Sequence, residues 1–158
     1  MTQITIEYMI MIPILIMQIF LFPLTASLIM NGWVDSRRTL ALQETGSHLG
    51  SSIQQLYSSL NHESISTGNV TNKLDTPPFI EGYAYKGRAA LRNASNPNSA
   101  RVLDITLTLM GTRLEATSSV TLGQNVLWGN TTLMSNSTFA GISAAKLPNG
   151  AIQLAFTS

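Results

Sequence analysis

Few side chains in this 158-residue chain are placed for chemistry. The first of them, Glu7, is the only charged group among residues 1–34. It stands at the head of an uncharged, mostly apolar run from Tyr8 to Met30. A carboxylate at the edge of such a run is costly once water is removed, so its chemistry is ion pairing and it implies a cationic partner. No Lys, Arg or His lies near it in sequence, so that partner comes from elsewhere. Four Asn-x-Ser/Thr sequons, at Asn69, Asn93, Asn130 and Asn136, are acceptors for N-linked sugar.

The remaining reactive types do not assemble into an active site. His48 and His62 are 14 residues apart, ~21 Å along a helix, and do not share one metal ion. Asp75, Glu81, Asp104 and Glu115 lack the spacing of a metal loop. Gly82 and Gly87 sit among Tyr and Lys, not in a phosphate-binding loop. With no cysteine there is no disulfide, thiolate ligand or thiol nucleophile. Net charge is +1 and the basic residues are scattered, which removes the electrostatic footprint of a nucleic-acid binder. No enzymatic activity, cofactor or metal is expected.

The elements that position these groups are legible from patterning. The 23 residues of Tyr8 to Met30 make a helix of ~35 Å, long enough to cross the hydrocarbon of a bilayer. Residues 1–60 are expected to form one long helix interrupted by Pro13, Pro23 and Gly32. Each proline frees a carbonyl, at Met9 and Ile19, a break tolerated inside a membrane or a packed bundle. The kinks fit a helix shaped to pack with many copies around an axis, and equally an ordinary membrane anchor. Trp33, just past the span, reads as an interfacial anchor.

Beyond the span, Leu42, Gly46, Leu49, Ile53, Leu56 and Leu60 alternate at spacings of four and three, a narrow apolar seam. The seam packs on the chain's own β-structure, or also meets helices of neighbouring subunits as in a coiled coil. Residues 61–78 read as a polar connector and 79–158 as a β-domain. Leu103, Ile105, Leu107 and Leu109 alternate with polar residues in a strand-like run. Gly111-Thr112 turns into a second such run, Arg113 to Leu122. Pro148-Asn149-Gly150 is a turn signal before Ile152, Leu154 and Phe156. Trp128 reads as packing before it reads as a ligand platform. The expected class is α+β: a long N-terminal hydrophobic helix against a small C-terminal antiparallel β-domain.

Orientation signals conflict. Arg37 and Arg38 follow the span with nothing basic before it, which by the positive-inside tendency sets the β-domain in the cytoplasm. Its sequons, its Ser/Thr/Asn-rich composition and a charged fraction of only 11% over the chain set it outside. A basic leader removed upstream reconciles the two.

The stretch Gln3-Ile4-Thr5-Ile6-Glu7-Tyr8, followed by the apolar run, resembles the processing-site region of archaeal type IV pilin-like proteins, which carry a class III signal peptide. Their mature chain begins Gln-x-Ser/Thr-x-Glu-Tyr. Glu7-Tyr8 with Pro13 is also similar to the start of Tad-type pilins, and Arg37-Arg38-Thr39-Leu40-Ala41-Leu42 to the end of their membrane helix. The resemblance covers residues 1–45. It implies a lollipop-shaped pilin cut by a prepilin peptidase at the Gln3-Ile4-Thr5 region. An ATPase-driven assembly platform then extracts it from the cell membrane into an extracellular helical homopolymer.

In that reading Glu7 neutralises the N-terminal ammonium of an adjacent subunit. Tyr8, Pro13 and Pro23 belong to the assembly surface, and the sequons make the filament a glycoprotein suited to cell adhesion or surface attachment. Processing falls either before Gln3 or before Met1, registers that set Glu7 two positions apart. The alternatives are a minor pilin or pseudopilin that primes such a machine, and a single-pass membrane-anchored surface-binding module.

Overall fold

A computed structural model describes residues 2–93 and 100–158, with the backbone alone at 2–6 and 93. The expected α+β class holds. Helix α1, Thr2–Leu60, precedes eight strands: β1 Gly68–Lys73, β2 Tyr85–Asn93, β3 Arg101–Leu109, β4 Glu115–Leu122, β5 Val126–Trp128, β6 Thr132–Met134, β7 Gly141–Lys146 and β8 Ile152–Thr157. Pro13 and Pro23, expected as interruptions, lie inside one α-helix. The helix contributes to two compact units that divide between Arg37 and Arg38.

The unit Arg38–Ser158 is built on two four-stranded sheets, ordered β1-β7-β8-β5 and β4-β3-β2-β6. All pairings are antiparallel except β5 with β8. The alternation read in the sequence is the pleat of β3: Leu103, Ile105, Leu107 and Leu109 are fully buried, while the residues between them are half-exposed. The turn into β4 uses Gly111 at φ 77°, a left-handed conformation that glycine adopts without strain. At the C-terminal hairpin the amide of Gly150 donates to the Leu147 carbonyl at 2.9 Å, and Ile152, Leu154 and Phe156 point inward beyond it.

The seam of α1 closes this core. Leu42, Leu49, Ile53, Leu56 and Leu60 join the inward faces of both sheets in one buried cluster. Gly46 and Gly50 let the helix approach closely: a methyl on Gly46 would stand 3.3 Å from the Ser118 Cβ, and one on Gly50 3.7 Å from the Val120 Cβ. Glycine inside a helix costs about 1 kcal/mol relative to alanine, which the packing over β3 and β4 offsets. Buried Thr45 satisfies its hydroxyl by donating to the Ala41 carbonyl at 2.8 Å.

Three features depart from the sequence reading. The stretch read as connector holds strand β1, which pairs along its whole length with β7 and is exposed from Asn69 to Lys73. With no inward apolar residue, it has no hydrophobic signal to betray it. His62 lies beyond the end of α1, not on it. The third is a hub at Asn125. Its carboxamide accepts from the Tyr57 hydroxyl at 2.9 Å and donates to the Asn61 side chain and the Gly150 carbonyl, both at 3.0 Å. These bonds pin the last turn of α1 to the β7–β8 turn.

Candidate functional site

The most unusual surface of the molecule is the helix of the first unit. From Tyr8 to Trp33 its large apolar side chains are between 46 and 77% exposed. They lie on all sides of the helix, so no single face is left for water. A helix apolar all round belongs in a membrane or inside a larger apolar assembly. Among the described residues it is the one helix long and apolar enough to span a bilayer.

The helix runs on through Pro13 and Pro23, each of which leaves the carbonyl four residues earlier without its amide donor. Just beyond Pro23 the Thr25 hydroxyl turns back onto the helix and donates to the carbonyls of Leu21 and Phe22 at 3.0 and 2.9 Å. Leu15, Ile19, Phe22 and Pro23 wall a shallow hollow on this segment. The segment ends in a polar collar where the Arg37 guanidinium lies 5.4 Å from the centre of the Trp33 ring. That contact suits an aromatic side chain at a membrane surface.

The predicted assembly residues Glu7, Tyr8, Pro13 and Pro23 all fall on this segment and are exposed. Gln3, Ile4 and Thr5 are helical in backbone, and their side chains lie outside the described residues. Asn69, Asn130 and Asn136 belong to the second unit and are exposed, as glycan acceptors must be. Asn69 sits in the edge strand β1, Asn130 between β5 and β6, and Asn136 in the turn after β6. Asn93 ends β2, with its side chain outside the described residues.

At the head of the second unit lies a cluster that sequence reading missed. Arg38 Nε donates to Glu81 Oε2 at 2.9 Å, and its guanidinium lies 4.9 Å from the centre of the Tyr83 ring. Glu81 and Gly82 are both left-handed, at φ 47° and 84°, in a tight hairpin closed by reciprocal bonds between Ile80 and Tyr83. The Glu-Gly pair was its only sequence signal.

The outer face of β2, β3 and β4 carries a polar ladder. Asp104 accepts from Arg92 Nε and from the Ser119 hydroxyl, both at 2.5 Å. These bonds, Arg92 first, hold its carboxyl below the ordinary value of 3.8. Burial pushes the Tyr85 phenol up, partly opposed by its bond to Thr76 at 3.0 Å.

Trp128 packs edge-to-face on Phe156, centroids 4.9 Å apart, in keeping with packing over ligand display. Its buried Nε1 has no protein acceptor. His62 Nδ1 lies 2.8 Å from the Ser64 hydroxyl, and His48 is exposed on α1. Among the described residues no three His, Asp or Glu side chains converge as a metal site would require. No protein-family model, curated protein or solved structure matches the chain.

Proposed function

We propose that this chain is the repeating subunit of an archaeal type IV pilus-like extracellular filament, serving adhesion or surface attachment. The observation that carries the reading is the exposed, all-round apolar helix from Tyr8 to Met30, headed by a single carboxylate. It is joined to a unit that already closes its own core. The seam of Leu42 to Leu60 is spent on that core, so the apolar contacts between subunits fall to the segment before Arg37.

Before assembly the segment rests in the cell membrane. Moving it from lipid into a bundle of identical segments gains little, because lipid tails are as apolar as leucine. Once drawn out, exposure to water is unfavourable at ~25 cal/mol per Å² of apolar surface, so each subunit is held in the polymer. Contacts of this kind between different faces propagate as a helix instead of closing a ring. Within the bundle Glu7 requires a cation, and the N-terminal ammonium of a neighbour supplies one. Partners follow from this reading: further copies of the chain, the peptidase that frees the N-terminus, and the platform ATPase that drives extraction.

The test is electron cryo-microscopy of material sheared from cells, with the N-terminus of the same sample read by mass spectrometry. Helical filaments with the Tyr8–Met30 segments along the axis are the expected result. A shear fraction without filaments, with the chain extracted from membranes as a monodisperse monomer, would overturn the reading in favour of a membrane-anchored binding module.

A further inference from the structure

Of the three sequons whose side chains are described, one lines a groove with an aromatic wall. Asn136, Ser137 and Thr138 form one side of a cleft of about 420 Å³, within the size range of ligand pockets. Pro78, Phe79 and Lys73 also line it. Phe79 is 52% exposed, a large flat apolar face in a cleft whose lining mixes apolar Leu74, Pro78 and Ala140 with polar side chains. Both walls are fixed. Buried Ser135 donates to the Pro78 carbonyl at 2.7 Å and accepts from the Tyr85 amide at 2.8 Å. The Ser137 amide closes the turn by donating to the Met134 carbonyl at 3.1 Å. The hollow beside Asn130 is lined by Arg88, Asp104 and Thr106 and contains no aromatic residue. Asn69 lies on an open edge strand.

We propose that this groove seats the first sugar residues of a glycan carried by Asn136 itself. A pyranose ring presents an apolar C–H face, which packs on the Phe79 ring, and a rim of hydroxyls, which meets Lys73, Ser137 and Thr138. The sequon supplies the occupant, because Asn136 is itself one of the residues that line the groove. In the attachment step the Asn136 side-chain nitrogen forms a bond to the anomeric carbon of a sugar carried on a lipid phosphate. The bond from that carbon to the phosphate oxygen breaks, the phosphate leaves with the electron pair, and the proton lost by nitrogen ends on it. The donor is a lipid-phosphate-linked oligosaccharide and the catalyst a membrane oligosaccharyltransferase. This inference rests on the extracellular placement of the second unit in the proposed function. The sugar becomes a cross-brace between the β6–β7 turn and the 74–80 segment.

The test uses the full chain from a glycosylating host, solubilised in detergent, with the Asn136 peptide read by mass spectrometry. Melting temperatures are then compared for the parent, Asn136→Gln, Phe79→Ala and the double variant. Expected are a glycan mass on the peptide and a drop of about 2–4 °C in either single variant. The double variant falls no further, and Phe79→Trp keeps the parent value. An unmodified peptide, or losses that add in the double variant, overturns the proposal. Either failure is separable from that of the filament reading, which is judged on the shear fractions of the same cells.

Discussion

The two stretches of α1 on either side of Arg37–Arg38 have the same backbone and opposite surfaces. From Leu42 onward the large apolar residues keep to one stripe, and Gln43, Ser47, Ser51, Gln54 and Ser58 face water, while Leu40 before them is exposed. Before Arg37 apolar residues occupy every direction and are exposed. A helix with one apolar stripe finds its cover within its own chain, here the sheets. A helix without a polar face has no way to satisfy water by rotating, and its cover has to be lipid or other copies. The difference separates the stretch that closes the core of the second unit from the stretch whose cover lies outside the chain's own sheets.

The sharpest way to break that separation is one substitution on each side. Leu49→Ala removes a fully buried side chain from the seam, and a loss of about 2–5 kcal/mol is expected in denaturant unfolding of the full chain in detergent. Leu21→Ala, on the exposed side, is expected to leave the unfolding of the β-containing unit unchanged to within about 0.5 kcal/mol. Similar losses in the two variants would mean that the apolar span helps to stabilise the second unit, and the division of labour would fail.

A smaller effect sharpens where α1 is tied down at its C-terminal end. An alanine methyl at Gly123 would stand 2.0 Å from the Tyr57 hydroxyl oxygen, so the ring must move and release Asn125. Gly123→Ala is expected to cost about 1–3 kcal/mol. Tyr57→Phe alone should cost about 1 kcal/mol for the lost hydrogen bond. Because both changes break the same contact, the double variant should lose less than their sum. Additive losses would show that Tyr57 and Gly123 act independently and that the hub is not what anchors the helix.

The hub also shows why part of the structure was hidden in the sequence. The seam, β3, β4 and β8 were legible because each carries an apolar period that only one element type explains. Asn125, Tyr57 and Gly150 are far apart in sequence and meet only after the sheets have formed, so no local pattern reports them. Strand β1, Gly-Asn-Val-Thr-Asn-Lys, is an exposed edge held by backbone bonds to β7, and β7 itself is written in small residues such as Ala144 and Ala145. For the apolar span of α1, length and apolarity sufficed to read a long helix. The groove at Asn136 was only half visible: its sequon is local, but Phe79 is brought beside it by the Ser135 bonds to Pro78 and Tyr85.

The smallest expected effect concerns the polar face of the second unit, where the ladder on β2, β3 and β4 is a surface feature. In the folded chain the bonds from Arg92 and Ser119 favour ionised Asp104, so its folded pKa lies below the unfolded one. Its contribution to stability is therefore complete above the unfolded carboxyl value and is lost as the pH falls through the depressed folded value. Because Asp104 and Arg92 keep 25 and 58% of their side-chain surface, solvent screening holds the effect small. The expected result is a parent chain that melts slightly above Asp104→Asn at neutral pH, with the gap closing as acid protonates the carboxyl. High salt should narrow the gap at neutral pH, since exposed pairs are screened. A gap that persists unchanged into acid would mean that Asp104 acts as a neutral hydrogen-bond acceptor for Ser119, and the charge of the ladder would then contribute nothing to holding the sheet.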